Sequence, residues 1–289
     1  MDKTHFSCLH THTVFCDGKD DVETVCRAAF EKGLVAVGFS SHAPVDTTGL
    51  VTGWHMKSAR LAEYIDEVHA ARRRWEGKIA VYLGLELDYI RGLRSPADRD
   101  IQDLHLDYAI GSVHYLVPPR GAPFTVDGPA EELEQGIAEG YGGDGEAMMN
   151  AYWDAVGEMA ALGGFDIIGH FDLVKKNNGA GLWFSMGSHY MRRVEGIAAS
   201  LGSSGLVVEV NTGGLTRDYI TETYPSLPIL RLLRRYTVPV MINADAHRAA
   251  DLDSHYEKAR QTMLEAGYQS HVVFEGRADG KPIWREYPL

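Results

Sequence analysis

Short apolar, β-branched runs recur along the chain, and most of them stop at a histidine or an acid. Phe6–Leu9 leads into His10-Thr11-His12-Thr13, Val35–Phe39 into Ser40-Ser41-His42, and Tyr108–Val113 into His114. Phe165–Gly169 leads into His170, Val238–Asn243 into Asp245-Ala246-His247, and Ile79–Leu87 carries Glu86 near its end. Leu206–Val210 and His271–Phe274 complete the set of strand-like runs. Helical periodicity fills the gaps at Val22–Lys32, Met56–Trp75, Ala147–Leu162, Ser188–Ser200, Ser226–Tyr236 and Ser254–Ala266. Strands that alternate with crossover helices pair in parallel through right-handed connections. About seven or eight such units, with no break in composition, predict one closed or nearly closed α/β barrel over residues 1–289. The Pro- and Gly-bearing stretch 116–145 reads as a loop or lid excursion from it.

Composition narrows the function. The chain carries 28 Lys and Arg against 40 Asp and Glu, a net charge of -12. That balance lacks the basic footprint that neutralises phosphates, so no nucleic-acid partner is expected. Cys8, Cys16 and Cys26 are odd in number and lack Cys-x-x-Cys spacing, which argues against a disulfide framework or a zinc finger. No apolar run approaches the roughly 18 residues that span a bilayer. The start Met-Asp-Lys-Thr-His has neither the basic nor the apolar region of a signal peptide. A reduced, cytoplasmic protein without a membrane partner is the expectation. A chain this long also builds a core without a metal staple, so a metal site here serves chemistry and not folding.

The histidines are the informative residues. Positions two apart on extended backbone point to the same side, so His10 and His12 can reach one ion, and the spacing recurs in Asp245 and His247. In a parallel barrel every strand's C-terminal end opens on one face. His10, His12, His42, Glu86, His114, His170, Asp245 and His247 therefore converge on a single mouth, with Asp17 following His12 in the next turn. Imidazole mixed with carboxylate suits Zn, Mn or Fe better than Mg or Ca. The donors exceed what one tetrahedral zinc takes, so two or three divalent ions sharing a carboxylate are expected. His5, His55, His69, His105, His189, His255 and His271 complete no spaced pair at a strand end and read as ordinary hydrogen-bonding groups.

With these segments in place the chain resembles the PHP (polymerase and histidinol phosphatase) family. The matching stretches are His10-Thr11-His12-Thr13, Ser40-Ser41-His42, Gly84-Leu85-Glu86, Gly111-Ser112-Val113-His114, Gly169-His170-Phe171-Asp172 and Asp245-Ala246-His247. Glu209-Val210-Asn211-Thr212-Gly213-Gly214-Leu215, Tyr224-Pro225-Ser226, the Lys175-Lys176 pair after His170, and Asp17 point to the bacterial histidinol-phosphatase branch. The resemblance implies a distorted (β/α)7 barrel of TIM-like type with a trinuclear metal site at the C-terminal strand ends. It implies one ion on His10, His12, Glu86 and Asp245, a second on Glu86, His114 and His170, and a third on Asp17, His42 and His247. It further implies catalytic roles for Asp17, Glu86 and His247. The third and last motifs depart from the family's usual Ser-Asp-His and Ser-Asp-Ala-His without losing a donor, and the segment Val117–Pro123 is unlike its shorter loop.

The activity so implied is hydrolysis of L-histidinol phosphate to L-histidinol and phosphate, a step of histidine biosynthesis. Divalent ions supply what phosphate-ester hydrolysis needs: a hydroxide, from water whose pKa falls to about 7, and neutralisation of the phosphoryl oxygens. Lys175, Lys176 and Arg217 lie near the expected mouth as phosphate-binding cations, Arg217 with the fork that grips two oxygens. Asp46, Asp127 and Asp172 are candidates to face the ammonium and imidazole of such a substrate. Of the aromatic residues Trp54, Tyr115, Tyr152, Trp153 and Trp183, only Tyr115 is placed at the mouth, beside His114. Two alternatives are a general PHP phosphoesterase acting on other small phosphate esters and a non-catalytic metal-binding module.

Overall fold

Branched apolar residues stack into short parallel strands, and amphipathic helices carry the chain back between them. The computed structural model describes residues 5–50 and 53–289. In chain order the strands are β1 (Ser7–Cys8), β2 (Ala36–Phe39), β3 (Ala80–Leu83), β4 (Glu86–Asp88), β5 (Ile110–Ser112), β6 (Tyr115–Leu116), β7 (Phe124–Thr125), β8 (Ile167–Ile168), β9 (Val207–Asn211), β10 (Val240–Asn243), β11 (Ser270–Ala278) and β12 (Lys281–Pro288). Two parallel sheets form, in the orders β1-β2-β3 and β10-β9-β8-β5-β4. Isolated parallel bridges join their strand ends at Thr11 with Ala246 and at His42 with Glu86. Backbone bonds reinforce both: His12 N donates to Ala246 O at 2.8 Å, and Ala43 N to Glu86 O at 2.9 Å. The chain is thus an α/β fold with parallel sheets.

The helices start and pack as their residues dictate. Val22–Glu31 opens on Asp21, whose carboxylate accepts from Thr24 N at 2.7 Å, and it buries Val22, Val25, Cys26 and Ala29. Leu227–Arg235 carries Pro228 at its start and Arg234 and Arg235 in its last turn, where cations suit the helix dipole. A single apolar cluster runs from Phe6 to Tyr268 and draws on most of these helices.

Four segments differ from the sequence expectation. Ile79–Leu87 is two strands: β3 pairs with β2, the chain steps across Gly84 and Leu85, and β4 pairs with β5. The helix predicted from Met56 begins at Leu61, after a 3-10 turn at Ser58–Arg60. The excursion 116–145 is ordered, holding the antiparallel pair β6–β7 and a helix at Ala130–Tyr141 that buries Leu133 and Ile137. The last strand is longer than predicted and turns back through Asp279-Gly280, both at positive φ, to pair with β12. Residues 1–4 and 51–52 of the predicted single domain lie outside the described residues.

A second cluster fills the space between the sheets. It gathers Leu9, Tyr108, Ile110, Ile167, Val207 and Met241 under Phe274 of the terminal hairpin, with Tyr82 and Trp284 packed alongside. The Tyr108 ring fits only because two neighbours lack a Cβ: one on Gly84 would sit 2.5 Å from its Cζ, and one on Gly38 2.5 Å from its hydroxyl. Tyr108 is fully buried, so the ring has nowhere to retreat. Gly84→Ala is expected to destabilise the fold by about 1–3 kcal/mol through overpacking, measured by urea denaturation. An unchanged midpoint would show that the ring is not confined as described.

Candidate metal centre

Strand ends set the geometry of the site. His10 and His12 follow β1, His42 follows β2, Glu86 opens β4, His114 follows β5, His170 follows β8, and Asp245 and His247 follow β10. Asp245 takes a left-handed backbone with φ of 50°, a conformation that Asp tolerates and that turns its carboxylate inward. The structure brings all nine sequence-derived donors into overlapping groups: His12, Asp17, His42 and His247; His10, His12 and Glu86; His10, His170 and Asp245; and Glu86, His114 and His170. Ligand atoms within each group lie within 4.8 Å of one another.

Glu86 stands at the centre and is fully buried. Its Oε2 lies 2.9 Å from His42 Nδ1, 3.2 Å from His10 Nε2 and 3.6 Å from His12 Nε2. Its Oε1 accepts from Ser112 Oγ at 2.7 Å and lies 2.9 Å from His170 Nε2 and 3.5 Å from His114 Nε2. Asp245 Oδ1 faces His12 Nε2 at 3.3 Å and His10 Nε2 at 3.8 Å, and Asp17 Oδ2 faces His247 Nε2 at 3.1 Å. Burial disfavours the charge on Glu86, yet the surrounding imidazoles hold its carboxyl well below the ordinary range. Burial likewise lowers His10, but Glu209, Glu86 and Asp245 more than offset it and raise the ring well above its usual value. His114 rises to about 10 despite burial, because Asp88 and Glu86 flank it. His12, buried beside His247 and His42, falls to about 3.

This donor set fits divalent metal ions. His10 Nε2, His12 Nε2, His42 Nδ1, Asp17 Oδ1 and Glu86 Oε2 are buried and make no hydrogen bond among the described residues, although all point into one space. Buried polar atoms left without partners are costly, and a cation satisfies several at once. Metal ions take imidazole nitrogens without their protons, so loading would compete with the protonation that neighbouring carboxylates favour at His10 and His114.

Two acids that sequence reasoning missed hold the ligands in place. Glu209 accepts from His10 Nδ1 at 2.9 Å, His170 N at 2.8 Å, Asn211 Nδ2 at 2.7 Å and Asn243 Nδ2 at 2.9 Å. Asp88 accepts from His114 Nδ1 at 2.8 Å and from His55 Nε2 at 2.6 Å. Each carboxylate thereby leaves the histidine's other nitrogen facing the cluster. Both were legible in principle: Glu209 is a charge inside an apolar strand, and Asp88 is two residues from Glu86, on the same strand face.

The cluster floors a cavity of about 780 Å³. Lys176 and Arg217 line it and Lys175 does not. Lys175 is buried, donating to Thr223 O at 2.8 Å and pairing with Asp172 at 2.9 Å and Glu222 at 3.0 Å. Arg217 clasps Asp245, donating to its Oδ2 at 2.8 Å and its backbone oxygen at 3.0 Å. Of the three candidate acids only Asp127 lines the cavity: Asp172 is held by Lys175 and Ser226 N, and Asp46 accepts from Ser58. Tyr115 lines it as expected, and so does Trp54, whose ring lies 5.6 Å from that of Tyr115 at 9°. Tyr152 and Trp153 are core residues.

The PHP domain profile matches residues 9–213. The chain belongs to the PHP family. A Deinococcus radiodurans relative named "Probable histidinol-phosphatase" is 29% identical over 269 residues, covering 93% of this chain and 96% of its own. The Bacillus subtilis protein named "Histidinol-phosphatase" is 27% identical over 261 residues, covering 86% and 96%. Among solved structures, one from Listeria monocytogenes matches with a TM-score of 0.78 at 24% identity, over 87% of this chain and 99% of that one. A Lactococcus lactis histidinol phosphate phosphatase, crystallised with zinc, L-histidinol and phosphate, matches with a TM-score of 0.69 at 20% identity, over 97% and 99%. Both structural matches show the same fold.

Removing the carboxylate behind a PHP ligand tests this geometry. Glu209→Ala is expected to weaken metal binding roughly 10–100-fold, read by chelator competition on metal-stripped protein. Equal affinity in variant and wild type would show that Glu209 does not orient the cluster.

Proposed function

We propose that this PHP protein is a metal-dependent phosphomonoesterase that hydrolyses L-histidinol phosphate to L-histidinol and phosphate. The observation that carries the reading is a carboxylate, Glu86, set between two groups of imidazoles on the floor of a cavity whose wall includes Lys176 and Arg217. The names of the Deinococcus and Bacillus relatives, which align over most of the chain, support this substrate. The same reading closes the two sheets into one distorted (β/α)7 barrel, a single domain, and the bridges at Thr11–Ala246 and His42–Glu86 support it.

His10, His12, Glu86 and Asp245 would hold one ion, Glu86, His114 and His170 a second, and Asp17, His42 and His247 a third. Zinc, as in the Lactococcus structure, is favoured over Mn or Fe. When bound, the ions lower the pKa of water and neutralise phosphoryl charge. The chain's own residues do the rest. Glu86, with an oxygen toward each group, fixes their spacing. Asp17 and His247, at 28% and 22% side-chain exposure, are the cluster members that an entering ester touches first. Lys176 and the outer edge of Arg217 grip the phosphate, while Arg217's clasp keeps Asp245 aimed inward. No helix among the described residues is long and apolar enough to cross a membrane, and the three thiols are free.

The test is phosphate release from L-histidinol phosphate, para-nitrophenyl phosphate and sugar and nucleotide monophosphates, with Zn, Mn or Fe and after chelation. A kcat/KM for histidinol phosphate roughly a hundredfold above the rest, lost on chelation, is expected. Comparable rates across the panel would move the protein to general phosphoesterase activity, and no release with any metal would overturn the enzymatic reading. Glu86→Ala and His12→Ala are each expected to abolish turnover while circular dichroism stays native. Near-wild-type rates in either variant would sink the metal mechanism. Arg217→Ala is expected to lower kcat/KM by roughly 100-fold, the scale of a lost charge-assisted contact of about 1.5–3 kcal/mol. An unchanged kcat/KM would remove Arg217 from the site.

A further inference from the structure

Two acids among the described residues, Asp127 and Asp251, line the cavity outside the metal cluster with no backbone group tying their carboxylates down, and of the two Asp127 is the one set beside a cation, Lys176. It sits on the segment between β7 and the helix Ala130–Tyr141, which sequence composition marks as an excursion. That segment is fastened on both sides. Val126 N donates to His114 O at 2.8 Å, and Asn177 Nδ2 donates to Gly128 O at 3.0 Å. Lys176 Nζ donates to the Asp127 backbone oxygen and lies 4.0 Å from its carboxylate Oδ2. The carboxylate accepts no hydrogen bond among the described residues, and its side chain is 28% exposed, open to the cavity. Glu132, also in the wall, differs: its Oε1 accepts from Thr125 N at 3.0 Å.

A cation and an anion about 4 Å apart on one rigid wall present a charged pair to whatever enters. A ligand that complements both carries an anion and a cation at similar spacing, in the reverse order. Phosphate against Lys176 then places a positive group against Asp127, giving alternating charges around a closed circuit. An ester with an ammonium on the carbon next to the ester carbon has that spacing. We propose that Lys176 and Asp127 together read a 2-ammonioalkyl phosphate, with Asp127 as the specificity-determining residue for the ammonium; this rests on the phosphatase reading given above. The substrate class is then set by the insertion and not by the metal site. A site built to pair a charged group of the ligand rejects the analogue lacking that group more strongly than an apolar pocket rejects a missing methylene.

The test compares L-histidinol phosphate with the same ester carrying hydrogen in place of the ammonium, on metal-loaded wild type and Asp127→Asn. The substitution keeps the backbone carbonyl that binds Lys176, so the wall stays intact. The wild type is expected to prefer the amino ester in kcat/KM by roughly tenfold or more, and Asp127→Asn to reduce that ratio to near parity. Calorimetric titration with L-histidinol, which has the ammonium and no phosphate, is expected to show binding to wild type and at least roughly tenfold weaker binding to Asp127→Asn. A ratio, or an L-histidinol affinity, that survives in Asp127→Asn places ammonium recognition elsewhere and overturns the inference. A wild-type ratio near one, with both esters hydrolysed, overturns it while leaving the phosphatase reading standing. A wild type that hydrolyses neither ester brings down that reading and this one together.

Discussion

A carboxylate buried where two sheets meet is the constraint on which the rest of this protein depends. Glu86 has no exposed surface, and an ionised acid in that position is untenable without opposite charge around it. Imidazoles from the ends of β1, β2, β5 and β8 supply it, and they can do so only if those strands stop at the same level. The requirement passes outward. His10 needs Glu209 behind it, His114 needs Asp88, and Asp88 in turn takes His55. His55, which reads from sequence as an ordinary hydrogen-bonding group, is one here, and its partner places it in the scaffold of the site.

Much of this was legible because strand geometry is simple. Alternate residues share a face, so His10 and His12 had to point the same way, and a donor just past a strand's last residue had to sit at the open end. What escaped reading was hidden by the same simplicity. Ile79–Leu87 looks like one apolar strand because a change of pairing partner leaves no mark in hydrophobicity, although Gly84 stands at the step. Glu209 passed as part of a strand because its neighbours Val207, Val208 and Val210 are apolar and buried. In the excursion, Pro and Gly masked the spacing of Leu133 and Ile137, four apart and buried on one helix face. The cavity's cations could be listed from sequence but not sorted: Lys175 and Lys176 are neighbours, and only the three-dimensional turn at Leu173–Lys175 sends one into the core and the other to the wall.

The two ends of the cavity answer to different parts of the chain. Its floor is made by strand termini, which the parallel sheets hold at one level. Its upper wall comes from Trp54, Tyr115 and the 116–145 insertion, fastened to the loop after β8 through Asn177 and Lys176. Floor and upper wall are therefore built by separable segments, one embedded in the core and the other laid across it. Relatives could share the floor and differ in the wall.

The bridge between Thr11 and Ala246 has a consequence for how the protein is made. The first strand's histidines meet Asp245 and His247, which lie far along the sequence, since Ala246 N binds His10 O and His12 N binds Ala246 O. A nascent chain on the ribosome thus exposes His10 and His12 long before their partners have been synthesised. During that interval they lack the Asp245 carboxylate and the His247 imidazole that complete their groups. The complete constellation therefore forms only once the segments from His10 to His247 have all been made and folded together.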